Sequence, residues 1–229
     1  MVEAVLGYLR AREDPSARAG MARVGINTSR ALGGTSVPAL RSMAKRVGKD
    51  HVLALELWAT GIHEARLLAT MVDDPRAVTE AQMEAWVNDF DSWDLADQCC
   101  GNLFDRTPQA HRKAVEWSAR REEFVKRAGF ALMACLAVHD VSAADEDFEA
   151  LLATIEREAA DRRNLVRKAV NWALRQIGKR NLRLNAAAIR SGERILESSA
   201  GRRNWVASDA LRELQSERVQ ERLRSRAGR

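Results

Sequence analysis

A pattern recurs in the second half of the chain with nearly constant spacing. Val125 to Met133, Val166 to Leu174 and Val206 to Leu214 each open on valine and carry apolar residues at helical intervals, and their starts lie 41 and 40 residues apart. A unit of that length is one pair of helices, too small to bury its own apolar side, so successive units must stack on one another. Ile62 to Ala69 and Leu95 to Gly101 hold similar places earlier, at about 30-residue spacing. The repeat is irregular, but it commits most of the chain to stacked helix pairs. Punctuation agrees with this. The prolines Pro15, Pro38, Pro75 and Pro108 stand near the ends of apolar-periodic runs and not inside them, where proline opens or closes a helix. No stretch alternates Val, Ile, Thr or aromatic residues between Asn-Gly or Asp-Gly turns, so strands are not expected.

The fold class expected is therefore all-α, an α-solenoid of HEAT-like helical repeats whose inner helices line a concave face. Periodicity places helices over residues 1–12, 15–24, 38–47, 50–60, 62–73, 79–90, 93–105, 108–119, 121–139, 145–159, 162–178, 181–199 and 203–225. Ser36 ahead of Pro38 and the capping-box spacing of Thr79 and Gln82 mark two of the starts. The organisation expected is a single repeat domain over 1–229: capping helices at 1–24, a loop at 25–37, a repeat core over 38–200 and a basic C-terminal helix over 201–229. Gly25, Gly33 and Gly34 make 25–35 the one poorly helical stretch.

Composition excludes several classes. The longest apolar run, Phe130 to Val138, has nine residues against the roughly 20 that span a bilayer, and no signal-peptide pattern opens the chain. A cytoplasmic protein without membrane contact is expected. Three cysteines, two of them adjacent at Cys99 and Cys100, build neither a disulfide framework nor a Cys-x-x-Cys metal pair. His51, His63, His111 and His139 lack metal-ligand spacing, and Gly33-Gly34 lacks the lysine of a phosphate loop, so no metal and no cofactor is expected. Charge is uneven: residues 1–160 carry 19 Lys and Arg against 25 Asp and Glu, whereas 161–229 carry 18 against 7. Arginine supplies 31 of the 37 basic residues, which suits phosphate forks. Nucleic acid is thus the first partner to consider, although a basic C-terminal segment also fits a solvated tail.

On stacked repeats, polar residues of the inner helices need an explanation. Asp97 and Arg127 fall at the same offset, two residues past Leu95 and Val125, and Trp172 lies six past Val166. Trp93 and Asp97 are four positions apart, one turn along the same helix face. That pair alone also fits a core tryptophan followed by an exposed or capping acid. Asp89, Asp91, Asp94 and Asp97 form an acidic cluster that would repel DNA if all of it faced one groove, so most of it is assigned to other faces.

Trp93-Asp94-Leu95-Ala96-Asp97, Phe124-Val125-Lys126-Arg127-Ala128 and Lys168-Ala169-Val170-Asn171-Trp172-Ala173-Leu174-Arg175, in this order and spacing, resemble the AlkD-like DNA alkylation repair glycosylases, a family built of HEAT-like repeats, over about residues 20 to 225. The resemblance implies that Asp97 is the catalytic carboxylate and that Trp93 and Trp172 flank the sugar of the damaged nucleotide. It also implies that Arg127 and Arg175 contact the DNA backbone. Lys168, Lys179 and Arg180 are added as phosphate contacts, although charge at a helix C-terminus equally explains the last two. The chain departs from the best-known members in its longer, more basic segment after Arg180 and in its glycine-rich 25–35 stretch.

The activity so implied is that of a monofunctional DNA glycosylase, a monomer acting on double-stranded DNA that contains alkylated bases. It would release cationic N7- or N3-alkylated purines through an oxocarbenium-like transition state. The alternative is a non-catalytic scaffold of the same fold that binds DNA structures or a protein partner.

Overall fold

The computed structural model describes residues 1–199 and 203–228, and those residues contain α-helix but no strand. The expected boundary between repeat core and C-terminal segment falls at residues outside the described ones. The backbone divides into two compact units, Met1–Thr107 and Pro108–Arg229.

The first unit holds α1 (Val2–Arg10), α2 (Pro15–Arg23), α3 (Val37–Val47), α4 (His51–Ala59), α5 (His63–Val72), α6 (Glu80–Asn88) and α7 (Trp93–Asn102), followed by a single 3-10 turn at Phe104–Arg106. Side chains cap several of these helices as the sequence suggests: Ser36 accepts from Ala39 N–H, Asp50 from Leu53 N–H and Thr79 from Gln82 N–H. The capping box at Thr79 forms only by half, because the Gln82 amide turns instead to Asp73 Oδ2 at 2.7 Å. α5 packs between α3 and α7 and against α4, so α3, α5 and α7 make one row. Leu40, Leu57, Leu68, Met83, Leu95 and Phe104 fill the core, and Trp58 stacks flat on Trp86 with ring centroids 3.9 Å apart.

The non-helical stretch between α2 and α3 is held from beneath. Buried Glu64, on α5, accepts the backbone N–H of Leu32 at 3.0 Å and of Gly33 at 2.6 Å. A Cβ at Gly34 would stand 1.3 Å from the Arg12 carbonyl oxygen, so only glycine lets this strap lie against the α1–α2 connection.

The second unit holds α8 (Ala110–Ser118), α9 (Glu123–His139), α10 (Asp145–Glu158), α11 (Asn164–Gly178), α12 (Leu182–Ser198), α13 (Trp205–Leu214) and α14 (Glu217–Ala227). α8 pairs with α9, α10 with α11 and α12 with α13, while α9, α11 and α13 pack side by side. The three valines that open the sequence repeat sit at equivalent buried places on that row. Asn171, on α11, donates to the Val206 carbonyl at 3.0 Å and stitches one repeat to the next. α8 and α9 approach so closely that a Cβ at Gly129 would lie 2.4 Å from Ser118 N.

The C-terminal segment expected as one helix over 203–225 is two, because the Leu214 carbonyl is taken by side chains, Gln220 Nε2 at 2.8 Å and Asn185 Nδ2 at 3.4 Å. With that acceptor satisfied from outside, the chain turns at Gln215 and restarts at Ser216, the N-cap of α14. No helix among the described residues is long and apolar enough to cross a membrane.

Candidate functional site

α7 has two sides. Leu95, Ala96, Cys99 and Cys100 are fully buried, whereas Trp93, Asp94, Asp97 and Gln98 are half-buried along the other face. Trp93 and Asp97 therefore lie one turn apart near the same edge of the helix. The indole is fixed in place: Trp93 Nε1 donates to the Val24 carbonyl, the first residue after α2, at 3.0 Å. Cys99 is no nucleophile, since burial, with the charges of Asp73 and Asp105, pushes its thiol well above the usual range.

Three acids of the cluster around Asp97 have structural work, and one of them, Asp94, shares the half-buried face of Asp97 although most of the cluster was expected on other faces. Asp89 accepts from Trp58 Nε1 at 2.9 Å and pairs with Arg66 at 3.2 Å. Asp91 accepts from Asn27 at 2.9 Å. Asp94 accepts from the Ser92 hydroxyl and lies 2.9 Å from His63 Nε2, on α5. Burial, the largest single influence on His63, pulls its pKa down, but the hydrogen bond and charge of Asp94, helped by Glu64 and Asp91, outweigh it and leave the imidazole raised. On Asp94 burial likewise works upward and is outweighed by His63 and Ser92, so the carboxyl ends below its usual range. The 24–36 strap thus meets the site at four points: Trp93, Asp91, Glu64 and the backbone N–H of His63, which donates to the Arg30 carbonyl.

The remaining expected residues belong to the second unit and are placed unequally. Arg127 is 6% exposed, and its Nη1 donates to the Leu165 carbonyl in the first turn of α11 at 2.6 Å. Its neighbour Lys126 is spent on Glu158 at 2.6 Å. Lys168 is exposed and Trp172 half-buried, both on α11. Arg175 and Lys179 converge on a single carboxylate, Glu213 of α13, with Lys179 at 2.7 Å. Burial raises the Glu213 pKa, and the two cations more than reverse that, leaving it lowered. Arg180 donates to the Ala137 and Ala143 carbonyls at 3.2 and 3.1 Å and lies over the Phe148 ring.

Sequence reading missed what Lys179 and Arg180 share. Both line a cavity of about 520 Å³ together with Asn181, Arg222 and Arg226, the last two supplied by α14. The only signal for this was the basic character of the C-terminal segment; the turn at Gln215 that brings α14 back depends on long-range bonds to Asn185. Among the described residues no group of three or more His, Cys, Asp or Glu side chains is arranged to hold a metal ion.

A family model described as DNA alkylation repair enzyme matches residues 5–214. No curated protein sequence matches the chain. A solved structure, described as a new family of proteins related to the HEAT-like repeat DNA glycosylases with affinity for branched DNA structures, superposes with a TM-score of 0.80, covering 97% of this chain and 95% of that one at 20% identity. The fold is therefore the HEAT-like repeat fold that the spacing of the sequence repeats led us to expect.

Proposed function

The chain belongs to the DNA alkylation repair enzyme family, and from that premise we propose that it is a monofunctional DNA glycosylase that releases cationic N7- or N3-alkylated purines from duplex DNA. The observation that carries this reading is the edge of α7, where Asp97 stands one turn from an indole whose orientation the Val24 carbonyl fixes. Cleavage of the N-glycosidic bond leaves positive charge on the sugar near C1′, and a carboxylate held there stabilises the transition state more than the ground state. At about 4 Å and an effective dielectric near 20, opposite unit charges attract by roughly 4 kcal/mol, worth about a thousandfold in rate. Asp97 is the residue assigned to this, and it also serves to position the attacking water.

An alkylated purine that is already cationic departs as a neutral base and needs no general acid. One carboxylate then suffices where glycoside hydrolases use two. Trp93 stabilises the charge on the sugar by about 0.5–2 kcal/mol, a role that the resemblance also implies for Trp172. Lys168 and Arg180 meet phosphates and carry no sequence information, whereas Arg175 and Lys179, expected to do the same, are held by Glu213. Arg127, with most of its guanidinium buried against α11, presents only an edge to DNA and chiefly positions that helix.

A second reading is favoured by one observation, the structural likeness to a protein described as having affinity for branched DNA structures. In that reading the chain is a scaffold without chemistry. The two separate in one experiment: release of free base from a duplex containing 7-methylguanine, measured beside affinity for that duplex and for a four-way junction. Base release supports the glycosylase; tight junction binding without release supports the scaffold.

A further inference from the structure

We propose that the first unit carries its own phosphate-binding site, formed by Arg41, Lys45, Lys49 and Arg106, which takes a backbone phosphodiester of DNA. The proposal rests on the reading of the chain as a DNA-binding protein given above. The four cations line one cavity of about 310 Å³ between the end of α3, the end of α5 and the residues after α7. None of them forms an ion pair among the described residues, although the unit as a whole has more acids than bases.

Helix C-termini attract positive charge, and this explains part of the cluster. Lys49 Nζ donates to the Met71 and Asp73 carbonyls at 3.1 and 2.7 Å, and Arg106 Nη1 to the Asn102 carbonyl at 2.9 Å. Both serve the ends of α5 and α7. Lys45 lies in the last turn of α3. Arg41 has no such duty, since it sits in the interior of α3. Its guanidinium is nonetheless held: Nη2 donates to Gln98 Oε1 at 3.0 Å, the same oxygen accepts from Asn102 Nδ2 at 3.1 Å, and buried Asn102 also donates to Thr70 Oγ1 at 3.0 Å. A chain of amides running into the core thus fixes an exposed arginine at the mouth of the cavity. Pre-organisation of this kind lowers the entropy cost of gripping an anion, and the arginine fork matches phosphate.

The cations also oppose one another. Burial is the first cause of a lowered Lys49 pKa and the charge of Arg106 the second, only partly countered by Asp73 and Asp74. A bound phosphate relieves that repulsion. Gln98, which orients Arg41, directly follows Asp97 on α7, so one helix carries both the candidate carboxylate and the support of the phosphate clamp. Gripping a phosphate here would fix the register of the DNA with respect to Asp97.

The test uses the full chain and a plain duplex, with affinity followed by fluorescence anisotropy across NaCl concentrations. Replacing Arg41, Lys45 and Arg106 together by Ala, while keeping Lys49 in its capping role, should weaken binding at low salt by tenfold or more. It should also make the slope of log Kobs against log[NaCl] shallower by about 1. Exchanging the cations, Arg41→Lys with Lys45→Arg, should keep the slope. Should the triple variant not fold, the single exposed change Lys45→Glu should move affinity and slope in the same direction. A wild type that binds DNA, with variants of identical slope and affinity, overturns the site and leaves the DNA reading intact. A wild type that binds no DNA at all overturns both.

Discussion

The two units spend their charges in opposite ways. Residues 1–107 carry 12 Lys and Arg against 15 Asp and Glu, and 108–229 carry 25 against 17, so formal charge alone directs a phosphate to the second unit. In the first unit, however, the acids are consumed as internal acceptors. Glu64 holds a backbone strap, Asp73 takes His51 and Gln82, Asp89 takes an indole and Asp94 takes an imidazole. The cations of α3 are left without acid partners. In the second unit the cations are the ones consumed, Lys126 by Glu158, Arg163 by Asp161, Arg183 by Glu149, Arg194 by Glu156 and both Arg175 and Lys179 by Glu213. Net charge says how many charges a segment has; the fold decides which remain for a ligand.

That contrast breaks most readily at Asp94. If the acids of the first unit are structural, Asp94→Ala should cost about 3–5 kcal/mol in urea unfolding, because it strips the partner from a buried imidazole; a loss under 1 kcal/mol would mean the acid is dispensable. The next effect is smaller and of opposite character. Glu213→Gln releases Arg175 and Lys179, so it should cost only about 1 kcal/mol of stability while steepening the salt dependence of DNA binding by about 1 to 2 in slope. An unchanged slope would show that those two cations are not phosphate contacts even when freed.

The smallest expected effect is a drift with pH. His63 is raised in the folded state, so its contribution to stability is complete below the unfolded value near 6.5 and fades as pH rises through the folded value. Asp94 is lowered, so its contribution is complete above about 4 and fades as pH falls through its folded value. The pair is at full strength between those limits. Tm should therefore decline from pH 6 to pH 9, and His63→Gln should flatten that decline.

Much of the architecture was legible in the sequence because it rests on local periodicity. Helix caps and the glycine-rich break each report on a few neighbouring residues, and the valine spacing repeats one such local pattern, with Val125, Val166 and Val206 buried alike. The C-terminal turn was not legible, since Asn185 and Gln220 that create it lie 29 residues before and 6 after Leu214. The resemblance nominated the candidate residues, but it said nothing of their availability. Nothing near Arg175 in sequence announces Glu213, 38 positions away, and nothing near Arg41 announces Gln98, 57 away. Such pairings exist only once the helices stack.

The proposed chemistry rests on the Asp97 carboxylate. Single-turnover release of 7-methylguanine from a defined duplex, with protein saturating and Kd measured in parallel, compares wild type with Asp97→Asn, which keeps the size of the side chain and removes its charge. Release by the variant should be slower by about a thousandfold with DNA affinity unchanged. Release by the variant at the wild-type rate would contradict that chemistry.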